Sequence, residues 1–268
     1  MLELIAVAIA LVGGFAAGLW DLKTTDIPDE IPALMVAFGL FLWYIGGMVS
    51  GNWQPFIVSA VVGTVAFAIG WALYKTGQWG GGDAALIAGT FYLLADVNLI
   101  ASYMLNFFIV AVVYMVVYSI ALGVMHPKIF SYASQYIRRS PIRYALAGWI
   151  VAGGLAIVWL FAEGVNIVAA ATLWLAIFAL LFFYLYAKAV EKRLFRRIIP
   201  VSELRVGDVL TSSKQWVGLT AEEIKTLRSK RHAVGIKEGV RFGMVFPLTL
   251  VVTLILGNLF FLLLGVNL

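Results

Sequence analysis

The chain has 268 residues, 63% of them hydrophobic and 12% charged, with a net charge of +5 and a mean hydropathy of +0.98. Soluble domains carry about 45–50% apolar and about 25% charged residues, so a water-soluble core, a disordered chain and a soluble nucleic-acid binder are excluded. An all-α polytopic membrane protein is expected instead. There is no cysteine, hence no disulfide, thiolate metal site or cysteine nucleophile. The two histidines, His126 and His232, offer no all-histidine metal cluster.

The first apolar run covers 2–20. Lys23 is the first basic residue, so no basic stretch precedes this run, and it is expected as a retained membrane helix rather than a cleaved signal. Further runs lie at 31–50, 56–74, 84–95, 99–125, 144–162, 165–187 and 244–266. About eight transmembrane helices are therefore expected, most reaching the ~20 residues that cross ~30 Å. The 84–95 run is short, and Asp96 and Asn98 separate it from the next. It reads either as a short helix turning near the far interface or as part of a re-entrant pair.

With the N-terminus outside, all 19 Lys and Arg fall in 21–30, 75–83, 126–143 and 188–243. The positive-inside rule makes those segments cytoplasmic. The expected organisation is a membrane core over 1–125 with five spans, then an interfacial segment plus two extra spans over 126–187. A cytoplasmic α+β segment over 188–243 and a last membrane helix over 244–268 follow. The segment 126–143 mixes aromatic and basic residues, as interfacial helices do. Within 188–243, Thr220 and Glu223 have the spacing of a capping box, with Ile224 and Leu227 as the apolar face behind it. Gly207-Asp208 between apolar pairs predicts a turn between short strands. Gly14 and Gly18 form a small-xxx-small face on the first span.

Two settings could hold chemistry. Asp21 ends the first span, in Leu19-Trp20-Asp21-Leu22-Lys23-Thr24-Thr25-Asp26-Ile27-Pro28-Asp29-Glu30, and Gly80-Gly81-Gly82-Asp83 opens the fourth. Counting spans places both acids at one depth on one face. Two carboxyls sharing one proton can hydrolyse a peptide: the ionised one takes a proton from water, and the protonated one polarises the carbonyl or protonates the leaving amine. Three glycines before Asp83 would admit an extended substrate and permit left-handed backbone. The simpler alternatives are Asp83 as an N-cap, the glycines as a plain loop, and Asp21 as an interfacial acid beside Lys23.

The joint pattern of Asp21, Ile27-Pro28 and Gly80-Gly81-Gly82-Asp83 resembles the archaeal branch of the type IV prepilin and preflagellin (prearchaellin) peptidases, which are membrane aspartic proteases of the GxGD class. The tail agrees: Val201-Ser202-Glu203-Leu204-Arg205-Val206-Gly207-Asp208-Val209-Leu210, Gly218-Leu219-Thr220-Ala221-Glu222-Glu223-Ile224 and Val234-Gly235-Ile236-Lys237-Glu238-Gly239-Val240-Arg241-Phe242 resemble the segment before the last span in that branch. Departures are Ala85, where the family often has Lys, and the tail end Gly239-Val240-Arg241-Phe242-Gly243-Met244, where the family usually reads Gly-Ile-Pro-Phe-Val-Pro.

The resemblance implies Asp21 and Asp83 as catalytic residues, with Gly80, Gly81 and Gly82 as the motif loop. It implies prepilin or prearchaellin precursors as protein partners, alongside membrane lipid, and cleavage of a class III signal peptide at the cytoplasmic face. No metal, cofactor or nucleic acid is implied. Asp26, Asp29 and Glu30 are either solvated or attract the basic residues that precede the cut in such substrates. The rival function is a non-catalytic assembly or transport protein of the pilus or archaellum machinery.

Overall fold

The computed structural model describes residues 1–139, 141–162, 174, 183–213, 217–230 and 232–263. Four helices are long and apolar enough to cross a membrane: α1 (Leu2–Thr24), α2 (Glu30–Ser50), α3 (Gln54–Lys75) and α5 (Val97–Met125). With its several apolar helices the chain is a multi-pass membrane protein. Two compact units divide it, Met1–Tyr114 with Ile198–Leu268, and Met115–Arg197.

In the first unit, α4 (Gly81–Leu93) has 13 residues and reaches only ~20 Å, too short to cross the bilayer alone. Of the two forms expected for 84–95, this is the short helix. It is enclosed by α2 and α3 instead. A side chain on Gly39 of α2 would collide with the Tyr92 carbonyl, and one on Gly63 of α3 would come within 2.6 Å of the Tyr92 ring. Glycine is what lets the backbones approach this closely, as small residues do between membrane helices. The last carbonyls of α4 have no partners within the helix. Ser59 Oγ donates to the Tyr92 carbonyl at 2.5 Å and Trp43 Nε1 donates to that of Leu93 at 3.1 Å.

The last run is broken. Helix α10 (Val245–Leu256) and the short α11 (Leu259–Leu263) are separated at Gly257, whose φ of 67° ends the helix. Asn106 of α5 repairs the break, donating from Nδ2 to Thr253 Oγ1 at 3.0 Å and to the Gly257 carbonyl at 2.7 Å, while the Leu259 N–H donates to its Oδ1 at 2.8 Å. Broken membrane helices survive where the freed groups find such partners. Helix α10 lies on the small face of α1. A side chain on Gly14 would meet Pro247 Cβ at 3.1 Å, and one on Gly18 would meet the Met244 backbone nitrogen at 3.0 Å. The Gly14/Gly18 pair is thus a helix-packing face.

Also in this unit, strands β1 (Arg196–Pro200), β2 (Val209–Leu210) and β3 (Ala233–Lys237) form a sheet in the order β1-β3-β2, with β2 antiparallel to β3 and Val209 opposite Lys237. Val201, Leu204, Leu219, Ile224, Val234 and Ile236 make its core. The turn at Gly207 is present, with φ 96°, but Val201–Glu203 before it is a 3-10 helix and not a strand. The capping box forms: the Thr220 N–H donates to Glu223 Oε2 at 2.8 Å, and the Glu223 N–H to Thr220 Oγ1 at 3.3 Å, at the start of α9 (Ala221–Lys230).

The second unit holds α6 (Lys128–Arg139), α7 (Ile142–Ala162) and α8 (helical over 183–194). Ile129 and Ala133, one turn apart, are buried with Tyr186, Ala189 and Val190. Tyr186 donates to the Ser119 carbonyl at 3.0 Å. Lys192 stands over the Tyr136 ring at 4.7 Å. The span expected over 165–187 falls mostly outside the described residues, as does the end of the 244–266 span.

Candidate active site

Asp21 is the last member of a buried stripe on α1 formed by Ala6, Ala10, Gly14, Ala17 and Gly18. The steps of three and four residues are one helix face. The acid is therefore carried inward, and it is only 6% exposed. The helix ends one turn later. Thr25 is left-handed with φ 62°, and its N–H returns to the Asp21 carbonyl at 2.8 Å, a single-residue αL stop.

Asp83 lies in the first turn of α4. The cap of that helix is Gly80, extended at φ −72° and ψ 155°, and the half-buried Asp83 side chain accepts a hydrogen bond from the Gly80 N–H. The N-cap alternative for Asp83 thus gives way to a position three residues into the helix. Left-handed backbone in this region belongs to Gly77, at φ 74°, and to none of Gly80, Gly81 and Gly82. The loop uses close approach instead: a Cβ on Gly82 would lie 2.7 Å from Ile27 Cβ.

Ile27 sits between the two settings. It is buried at 6% exposure and touches Gly82 on one side. On the other it faces Gly243, where a Cβ would lie 3.2 Å from Ile27 Cδ1 and 3.2 Å from both Asp21 Cβ and Oδ2. The charges of Asp21 and Asp83 lie within reach of one another. Among the described residues no hydrogen bond joins the two carboxyl groups.

The tail before α10 completes the setting. The Gly243 N–H donates to Asp21 Oδ2 at 2.8 Å, and the Arg241 charge acts on the same carboxylate. Both residues lie where the tail departs from the family's usual ending, and residue type alone gave neither a role. The available clue was topological, because the end of the first span and the start of the last were expected on one membrane face. Asp26, Asp29 and Glu30 are exposed. Asp26 is near enough for its charge to act on Asp21, and Asp29 caps α2 without a side-chain hydrogen bond. Among the described residues no three of His, Asp and Glu gather as metal donors.

Residues 8–125 match the type IV leader peptidase family. The prepilin peptidase EppA of Methanothermobacter thermautotrophicus is 30% identical over 103 residues, 38% of this chain and 27% of that protein. The preflagellin peptidase of Methanococcus voltae is 33% identical over 86 residues, 32% of this chain and 36% of that protein. The chain thus spans about a third or less of the length of these curated relatives. No solved structure matches it. The segment similar to the type IV leader peptidase family contains Asp21, Ile27 and the Gly80–Asp83 turn.

Proposed function

We propose that this protein is a membrane aspartic endopeptidase that removes the class III signal peptide of prepilin- or preflagellin-type precursors, with Asp21 and Asp83 as its two catalytic residues. The observation that supports the reading is that Ile27 lies against Gly82, next to Asp83, and against Gly243, next to Asp21, with the Asp21 charge acting on Asp83. In the reaction one carboxylate takes a proton from water as the oxygen adds to the scissile carbonyl carbon. The other carboxyl gives its proton to the carbonyl oxygen. Collapse of the tetrahedral intermediate breaks the C–N bond, and the amine leaves with a proton from the pair.

The one-sided distribution of all 19 basic residues supports a cytoplasmic active site. A precursor with its N-terminus inside and its hydrophobic helix in the bilayer would present its cut site at that level. The test is co-expression with a precursor, scored by gel shift. Cleavage by the wild-type protein and none by Asp21→Asn or Asp83→Asn is the expected result. Cleavage by Asp83→Asn at the wild-type rate would return Asp83 to a purely helical role and end the protease reading.

A further inference from the structure

We propose that residues 239–243, which join β3 to α10, are a positioning element for Asp21, acting through the backbone N–H of Gly243. The proposal rests on the protease reading and assigns this segment no contact with the reacting atoms.

A carboxylate in a buried helix stripe needs a donor, because leaving it unpaired costs more than a hydrogen bond contributes elsewhere. Among the described residues, the Gly243 N–H at 2.8 Å is the one hydrogen bond that the Asp21 carboxylate accepts. It occupies Oδ2. The donor is itself held from three directions. Tyr114 Oη donates to the Arg241 carbonyl at 2.6 Å. The Phe242 ring meets those of Phe107, Tyr114 and Phe246 at 6.0, 6.4 and 5.9 Å between centroids. One turn before Asp21, Gly18 lets the Met244 backbone lie directly on α1.

A Cβ at position 243 would lie 3.2 Å from both Asp21 and Ile27, so one of them would have to give by a few tenths of an ångström. The charged groups acting on Asp21 are Arg241 from this segment, Asp26 from the turn after α1 and Asp83 from α4. The arrangement therefore sets the direction of the Asp21 carboxylate from a part of the chain made after the cytoplasmic sheet.

The experiment uses the full-length protein in two parts. Gly243→Ala keeps the N–H but pushes Asp21 by a few tenths of an ångström. Steady-state cleavage of a precursor should show kcat lower by about tenfold with KM within twofold, as expected when a catalytic group is misplaced and substrate binding is untouched. Adding Ile27→Val makes room for the new methyl and should recover part of the activity, measured against Ile27→Val alone. Tyr114→Phe releases the segment without touching position 243. It should lower kcat by a few-fold at unchanged KM, and it decides the matter if Gly243→Ala fails to insert.

The second part does not depend on activity. The chain has no cysteine, so Asp21→Cys with Gly243→Cys should form a disulfide on mild oxidation, read after cutting at a protease site inserted at Ser212. Asp26→Cys with Gly243→Cys should not. Absence of the first cross-link overturns the proposal, as does wild-type kcat in both Gly243→Ala and Tyr114→Phe, or a raised KM at constant kcat. A wild-type protein that inserts, forms the cross-link in its cysteine variant and cleaves no precursor overturns the protease reading instead.

Discussion

The bundle of α1 to α4 and the small sheet of β1, β2 and β3 belong to one unit but are assembled by opposite rules. In the sheet, Val201, Leu204, Ile224, Val234 and Ile236 turn inward and the charged side chains turn out, as in any protein folded by water. In the bundle Met35, Trp43, Leu86 and Phe91 are buried, but many large apolar side chains face outward: Phe41 is 65% exposed and Val12 71%, while Gly14, Gly18, Gly39 and Gly63 occupy contacts between helices. Lipid weakens the drive to bury every phenylalanine and gives close backbone approach a larger share in holding helices together. A buried acid such as Asp21 therefore stands out in the bundle far more than an acid on the sheet.

The largest effect expected from this contrast is catalytic. Asp21→Asn and Asp83→Asn should each lower cleavage by on the order of 10³-fold or more, and the double variant should be no worse than either, since the pair acts as a unit. Asp26→Asn, on an exposed position five residues on, should keep most activity. If Asp26→Asn is dead and Asp21→Asn active, the buried stripe does not mark the catalytic acid.

Next comes stability, measured by thermal or denaturant unfolding in detergent and in lipid. Ile224→Ala, in the sheet core, should cost about 2–4 kcal/mol. Phe41→Ala, which removes more volume, should cost close to nothing in bilayers. Gly39→Ala adds a single methyl against the Tyr92 carbonyl and should cost about 1–3 kcal/mol. Destabilisation by Phe41→Ala as large as that by Ile224→Ala would mean that the outward face is packed against protein.

A smaller effect concerns the rim. Asp29→Lys with Glu30→Lys should raise KM by a few-fold at low ionic strength with kcat unchanged, and the difference should shrink with added salt. An unchanged KM makes these acids solvated ends of α2 and nothing more.

The smallest effect is in the capping box. The Thr220 N–H and hydroxyl hold the Glu223 carboxylate below its usual range. Its contribution is thus complete above the ordinary glutamate pKa and is lost as pH falls through the lowered value. Hydrogen exchange at the first turn of α9, corrected for intrinsic rates, should show protection dropping on acidification in the wild type and little change in Glu223→Gln.

What could be read from the sequence was local or periodic. The Thr220/Glu223 box and the Gly14/Gly18 face follow from spacing on one helix, and both are found as contacts. The candidate acids were legible as chemistry set in unusual places. The role of the glycine run was less so. Its residues suggested both close approach and left-handed backbone; the structure uses only close approach, at Gly82, to admit Ile27, a contact that depends on how α1 turns into α2. The Gly243 bond to Asp21 spans 222 residues and the Asn106 bond to Gly257 spans 151. No spacing rule reaches so far, because such pairs are fixed only when the last helix docks. The end of α4 at Leu93 is likewise set from outside, by Ser59 and Trp43.

The Asn106 repair carries a consequence for how the protein is made. Ribosomes deliver the chain from its N-terminus, so α5 enters the membrane well before residues 253–259 exist. During that interval the Asn106 amide lacks the three hydrogen bonds it makes to those residues in the folded chain, so the buried side of α5 around it is completed only when that later segment docks.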